Sequence, residues 1–96
     1  MPTANWKNTV IANASSSDMV TVDNNLYFPL AAVNPAHIRP STHTSVCGWK
    51  GTATYYDVVV DGEVNKDAAW TYVTPKDAAK EIAGRVAFWK GVVVKQ

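Results

Sequence analysis

The sequence predicts a mainly β protein, built of small antiparallel sheets with one short covering helix over about residues 75–83. Three observations carry this reading. Thr52 to Val60 is a run of Thr, Tyr and Val, the β-branched and aromatic residues that suit a pleated surface. Asp and Asn residues that tolerate positive φ recur between apolar runs, at Asp23-Asn24-Asn25 and Asp61-Gly62, as hairpin turns require. A single capped helical stretch appears late, after most of the strands.

Taken in order, residues 1–8 are polar and hold Pro2 and Asn8, which reads as a loose lead-in. Thr9 to Ala12 is a short strand, and Asn13 to Asp18 is a loop. Met19 to Val22 and Leu26 to Leu30 are β-prone and flank the first hairpin turn. Pro29, Pro35 and Pro40 each lack a backbone donor, so no central strand runs through them, and a short edge strand is expected near Ala36 to Arg39. The segment from Thr42 to Val73 has the strongest β character, with Ala68 to Val73 returning as the partner of Thr52–Val60. Thr74 is the predicted N-cap of the helix, with Pro75 at its first position and Asp77 three residues after the cap. Ala78, Ala79, Ile82 and Ala83 line one face of that helix, and Gly84 ends it. Val86 to Trp89 and Val92 to Val94 flank Lys90-Gly91 as a final hairpin.

The chain has 96 residues, the size of one domain. Apolar residues make up 47% and charged residues 18%, a globular rather than a disordered composition. Nine basic and eight acidic residues give a net charge of +1, so neither duplex nucleic acid nor an anionic membrane is an expected partner. No apolar run approaches the roughly 18 residues of a membrane span. The one cysteine, Cys47, excludes an internal disulfide and a four-cysteine zinc site. With no secretory signal at the start, this points to a reduced cytoplasm.

The blocks Cys47-Gly48-Trp49-Lys50-Gly51-Thr52-Ala53-Thr54-Tyr55-Tyr56, Ala68-Ala69-Trp70-Thr71-Tyr72 and Ala78 to Phe88, with Tyr27-Phe28-Pro29 upstream, resemble the bacterial domain of unknown function 427 family. The resemblance runs from about Thr9 to Val94. It implies a β-tent-like fold, and the family carries a nucleotidyltransferase-type label. In the family a proline usually follows the cysteine, where this chain has Gly48. Many β-tent proteins hold zinc with paired cysteines, which this chain does not have.

Four Trp and four Tyr in so short a chain are the main compositional clue to function. Trp49, Tyr55, Tyr56, Trp70 and Tyr72 fall close together in the predicted hairpin. Tyr55 and Tyr56 must point to opposite faces, whereas Trp70 and Tyr72 share one. Such rings either fill the core or bind planar ligands by stacking. The first expectation is therefore a small planar or heterocyclic ligand in a groove lined by Trp49, Tyr55 and Trp70. Arg39, His43, Lys50 and Asp57 would supply polar recognition at its edge.

An enzyme is the alternative expectation, of nucleotidyl-transfer type or a thiol-dependent reductase, and a protein-interaction module is a third. Nucleotidyl transfer uses metal ions about 3.5–4 Å apart, clasped by neighbouring acids. Asp57 and Asp61 on a regular strand would be roughly 13 Å apart. No Asp-x-Asp pair or Gly-rich phosphate loop is present. Asp61 reads as a turn residue and Asp77 as a capping residue. Cys47 is the possible nucleophile, with His43 four residues before it and Lys50 and Arg39 able to lower its pKa. The spacing of His37, His43 and Cys47 matches no standard zinc pattern, so neither a metal nor a cofactor is expected. The chain is expected to be a monomer or a weak homodimer.

Overall fold

The computed structural model describes residues 1–96. Nine strands form three antiparallel sheets, and the helical content is confined to short 3-10 segments. The first sheet has the order β2-β1-β9, from Thr3–Trp6 (β1), Thr9–Asn13 (β2) and Val93–Lys95 (β9). Val20–Val22 (β3) and Asn25–Tyr27 (β4) form a hairpin. The third sheet runs in sequence order through Ile38–Cys47 (β5), Gly51–Val60 (β6), Glu63–Thr71 (β7) and Val86–Phe88 (β8).

Four two-residue turns punctuate this order. Lys7-Asn8, Asp23-Asn24, Asp61-Gly62 and Lys90-Gly91 all have positive φ at both residues. That geometry is the type I′ turn, whose twist matches that of paired strands, and Asn, Asp and Gly adopt it at least cost. The first three close hairpins. The expected turns at Asp23-Asn24 and Asp61-Gly62 are both found. Pro40 lies within β5, as the proline rule permits, because β5 is an edge strand and its register shifts between Pro40 and Thr44.

Four local expectations are corrected. Residues 1–8 are not a loose lead-in: β1 is the central strand of its sheet, and Pro2 and Ala4 are buried. The inward residues of this segment are Pro2, Ala4 and the partly buried Trp6, and Pro and Ala are residue types depleted in strands, so the alternation does not read as one. The proposed edge strand at Ala36 to Arg39 begins instead as a 3-10 turn, Pro35–His37, capped by the Asn34 side chain, and the strand follows it. The short covering helix expected over residues 75–83 is present, but as a 3-10 helix rather than the capped amphipathic helix read from the sequence. A 3-10 segment, Asp77–Ile82, breaks at Ala79, and neither Thr74 nor Asp77 caps it. Its ends are fixed by the sheet: the Lys76 amide donates to the Lys50 carbonyl, and the Gly84 amide to that of Tyr72. Tertiary bonds at both ends of so short a span override helix propensity. Finally, β8 and β9 do not pair. The Lys90-Gly91 turn sends β8 to the third sheet and β9 to the first.

The third sheet has two differently covered faces. On one, Val58, Val60, Ala69, Val86 and Phe88 join Ala4, Ile11 and Ala12 of the first sheet in a core of 13 buried residues. On the other, Ala53, Tyr72 and Ala87 pack with Val22 and Tyr27 of the small hairpin and Ala79 and Ile82 of the 3-10 segment, a core of only 7. The alternation of strand side chains sends Tyr56 to the first face and Tyr55 to the second, as expected. Phe28 exchanges two backbone hydrogen bonds with Val86, which ties the hairpin to the edge of the third sheet.

One buried carboxylate interrupts this apolar pattern. Tyr56 pairs with Ala69 and Val58 with Asn65, so Asp57 alone faces the three residues Lys66 to Ala68 of a bulge in β7. Asp57 is 2% exposed. It accepts the Asp67 amide at 2.9 Å, Arg39 at 3.2 Å and Lys66 at 3.4 Å. Burial opposes its ionisation. The Asp67 amide, Arg39 and Lys66 outweigh burial and hold the carboxyl below its ordinary value.

A carboxyl with a depressed native pKa binds its proton more weakly than in the unfolded chain. Its stabilisation is therefore present above about pH 4 and is lost as the pH falls through the native value. Calorimetry between pH 7 and pH 2.5 should show this loss, and Asp57→Asn should be flatter with pH over the same window. Asp57→Ala, which orphans the Asp67 amide, should cost about 2–3 kcal/mol at pH 7 by denaturant titration.

Candidate functional site

The small hairpin and the 3-10 segment cover only part of the second face. Where they stop, a cleft of ≈ 190 Å³ is lined by Lys50, Tyr55, Trp70, Tyr72 and Trp89. Tyr55 and Trp70 are cross-strand partners on β6 and β7, which brings their rings to the same face. Trp70 meets Tyr27 edge to face at 6.3 Å and donates its indole N–H to the Tyr27 hydroxyl at 3.2 Å. Trp89 stands edge to face with Trp70 at 5.7 Å and is tilted by 38° to Tyr55 at 6.4 Å. The His43 ring lies 4.6 Å from that of Tyr55, tilted by 51°, and the Tyr55 hydroxyl shares a hydrogen bond of 2.9 Å with Ser45. The result is a continuous aromatic wall.

Trp89 is held by the bulge that Asp57 fills. Its indole N–H donates to the Asp67 carbonyl at 2.6 Å, and its amide donates to the Ala68 carbonyl. It remains 44% exposed, and the Lys90 ammonium lies over its ring, 5.0 Å from the ring centre.

Lys50 closes one end of the cleft. It is only 8% exposed, rare for a lysine without a partner. Its partner is Asp23 in the hairpin turn, at 2.8 Å. The ammonium also lies 5.6 Å from the ring centres of Trp49 and Tyr72, within cation–π range. Burial pulls the Lys50 pKa down, but the hydrogen bond it donates to Asp23 and the nearby Tyr27 and Tyr72 hydroxyls raise it above the usual lysine value. Burial pushes the Tyr72 hydroxyl up. Gly51 fixes the backbone here. Its φ of +111° disfavours any side chain, and a Cβ would stand 3.5 Å from the Lys76 nitrogen. The glycine beside Lys50 is thus required by its backbone conformation, while the neighbouring Pro75-Lys76 backbone would tolerate a Cβ.

Of the residues expected at a ligand site, Lys50, Tyr55 and Trp70 line the cleft and His43 backs its wall. Trp49 lies in the β5–β6 turn, 43% exposed, with one side against Lys50. Arg39 and Asp57 are elsewhere, bonded to one another, and the remaining lone pairs of Asp57 are engaged by Lys66 and the Asp67 amide. Asp57 is thus occupied as the keystone of the bulge, and Asp61 is a turn residue. Two cleft residues fall outside the expected set, Tyr72 and Trp89. The pairing of Tyr72 with Trp70 at a spacing of two was a signal for the first. Trp89 is brought in only by long-range pairing. Arg39, His43 and Lys50 do not form one cationic rim.

His37 is engaged by the Val59 carbonyl at 2.9 Å, and no three His, Cys, Asp or Glu residues are grouped to hold a metal ion. Cys47 ends β5 opposite Gly51 and is partly exposed. The Lys50 and Trp49 amides hold its thiol below the usual value, with help from the Lys50 charge.

A family model described as Domain of unknown function (DUF427), labelled NTP_transf_9, matches residues 3–95. The chain belongs to this family. No curated protein matches it. No helix is long and apolar enough to cross a membrane.

A thiol that is accessible and depressed should react with a disulfide reagent in the native protein. The rate should rise with pH to a plateau whose midpoint lies below the ordinary value of about 8.5. Reaction only after denaturation would contradict the placement of Cys47.

Proposed function

We propose that the domain binds a small planar or heterocyclic ligand in the aromatic cleft. The observation that carries this reading is the cleft itself: Tyr55, Trp70 and Trp89 on one sheet face, left uncovered, beside a buried lysine. Aromatic rings that fill a core are enclosed, whereas Trp89 is held by a hydrogen bond at its edge and stays nearly half exposed. Exposed apolar surface of this kind marks a contact site. The cleft is smaller than the roughly 300–1,000 Å³ of sites for drug-sized molecules, so the ligand is one or two rings in size. The domain would act in a bacterial cytoplasm as a monomer or weak homodimer, where a single unpaired thiol such as Cys47 stays reduced.

A second reading, a thiol-dependent reductase, is favoured by the depressed thiol of Cys47 near Lys50. It would need an external thiol to resolve the oxidised form, since the chain has one cysteine. Nucleotidyl transfer finds less support, because the Asp57 carboxylate is already engaged by three donors.

Calorimetric titration with a panel of nucleobases, nucleosides and indoles tests the binding reading. At least one should bind, and Trp89→Ala should weaken it by about 0.5–1.5 kcal/mol, up to about tenfold. Because Trp89 is half exposed, the variant should stay folded. Equal affinity for variant and wild type would remove the cleft from consideration.

A further inference from the structure

The charge distribution in the cleft narrows the ligand class, given the binding reading above. Lys50 is the one charged residue among the five that line it. Its ammonium has three N–H donors, and the Asp23 carboxylate takes one of them at 2.8 Å. Asp23 stands at the tip of an exposed turn with its own side chain 52% exposed, so water can take over its hydrogen bond where a ligand anion replaces it at Lys50. The Trp49 and Tyr72 rings fix the ammonium from two sides. The rest of the wall is aromatic. Ring faces carry negative potential, so they repel an anionic group and favour a neutral or electron-poor ring. An occupant complementary to both ends therefore carries its negative charge at one edge and a flat apolar body behind it.

We infer that the ligand is a small aromatic or heteroaromatic carboxylate. Its ring packs on Trp70 and Trp89, and its carboxylate pairs with Lys50 in competition with Asp23. Bidentate recognition is not required, which suits lysine, a point charge with rotatable donors, rather than arginine. Exclusion of water from a buried ammonium strengthens the pairing relative to the same contact at the surface.

The test is a titration of nitrogen-15-labelled protein with indole-3-carboxylate and with its neutral isostere indole-3-carboxamide, followed at the indole N–H resonances of Trp70 and Trp89. The carboxylate should bind at least tenfold more tightly than the amide. Lys50→Met should abolish that preference and bring the two probes to similar affinity. Asp23→Asn removes the competing carboxylate and keeps the Lys50 side chain, so it should tighten carboxylate binding several-fold and widen its margin over the amide. It serves the same purpose if Lys50→Met does not fold. Equal binding of the two probes to the wild type would overturn the anionic assignment and leave the stacking reading intact. Movement of neither indole resonance with either probe would overturn both. A preference that survives Lys50→Met, or a carboxylate affinity unchanged by Asp23→Asn, would show that the charge is read elsewhere.

Discussion

The contact between Asp57 and the Asp67 amide is the one on which the rest of the structure depends. A central strand pair that carried three residues opposite one would ordinarily leave an amide unpaired in the core, at a cost of about 1–3 kcal/mol. Asp57 fills that gap. Its charge is tolerated at 2% exposure because Arg39 and Lys66 reach over it from solvent. The bulge turns Asp67 into a positive-φ conformation and aims its carbonyl at the Trp89 indole. A buried carboxylate on β6 thereby sets the position of a ring that walls the cleft. The Asp57 contact is structural in its direct role and functional at one remove.

The second constraint is the unequal covering of the third sheet. A hairpin of two three-residue strands cannot span a face made by strands of nine and ten residues. It is anchored at one end by Phe28 on Val86 and at the other by Asp23 on Lys50. Between and beyond those points the face is left to large rings, which partly shield one another. Tyr27 links the two regions, since it is fully buried in the smaller core and bonded to Trp70 in the cleft. The same geometry that completes the core therefore ends in an open aromatic surface with one fixed positive charge.

Much of this was legible in the sequence where the signal is local. Asp23-Asn24 and Asp61-Gly62 announced their turns because both residues must tolerate positive φ. Thr52 to Val60 announced the central strand, and adjacency alone separated Tyr55 from Tyr56. Asp57 was legible as an anomaly, a carboxylate inside an apolar strand, but its partner was not. The bulge depends on register between β6 and β7, which no residue encodes by itself. Residues 1–8 misled because two of their inward residues, Pro2 and Ala4, are types that strands disfavour, and among them only Trp6 carries a β-prone side chain. The 75–83 segment misled because its helix signals are genuine, yet hydrogen bonds to Lys50 and Tyr72 decide its shape. Trp89 was read as the end of a hairpin strand. Only the divergence of β8 and β9 into separate sheets, and the carbonyl of Asp67, bring it to the site.

The claim that Asp57 positions the cleft is tested most directly by the Trp89 indole N–H in Asp57→Ala, observed by NMR at neutral pH. The account predicts that this resonance shifts and its hydrogen exchange accelerates, because the Asp67 carbonyl moves once its amide loses its acceptor. The Trp70 indole N–H, bonded to Tyr27, should keep its protection. An Asp57→Ala protein that remains folded, with the Trp89 resonance and exchange rate unchanged, would contradict the account.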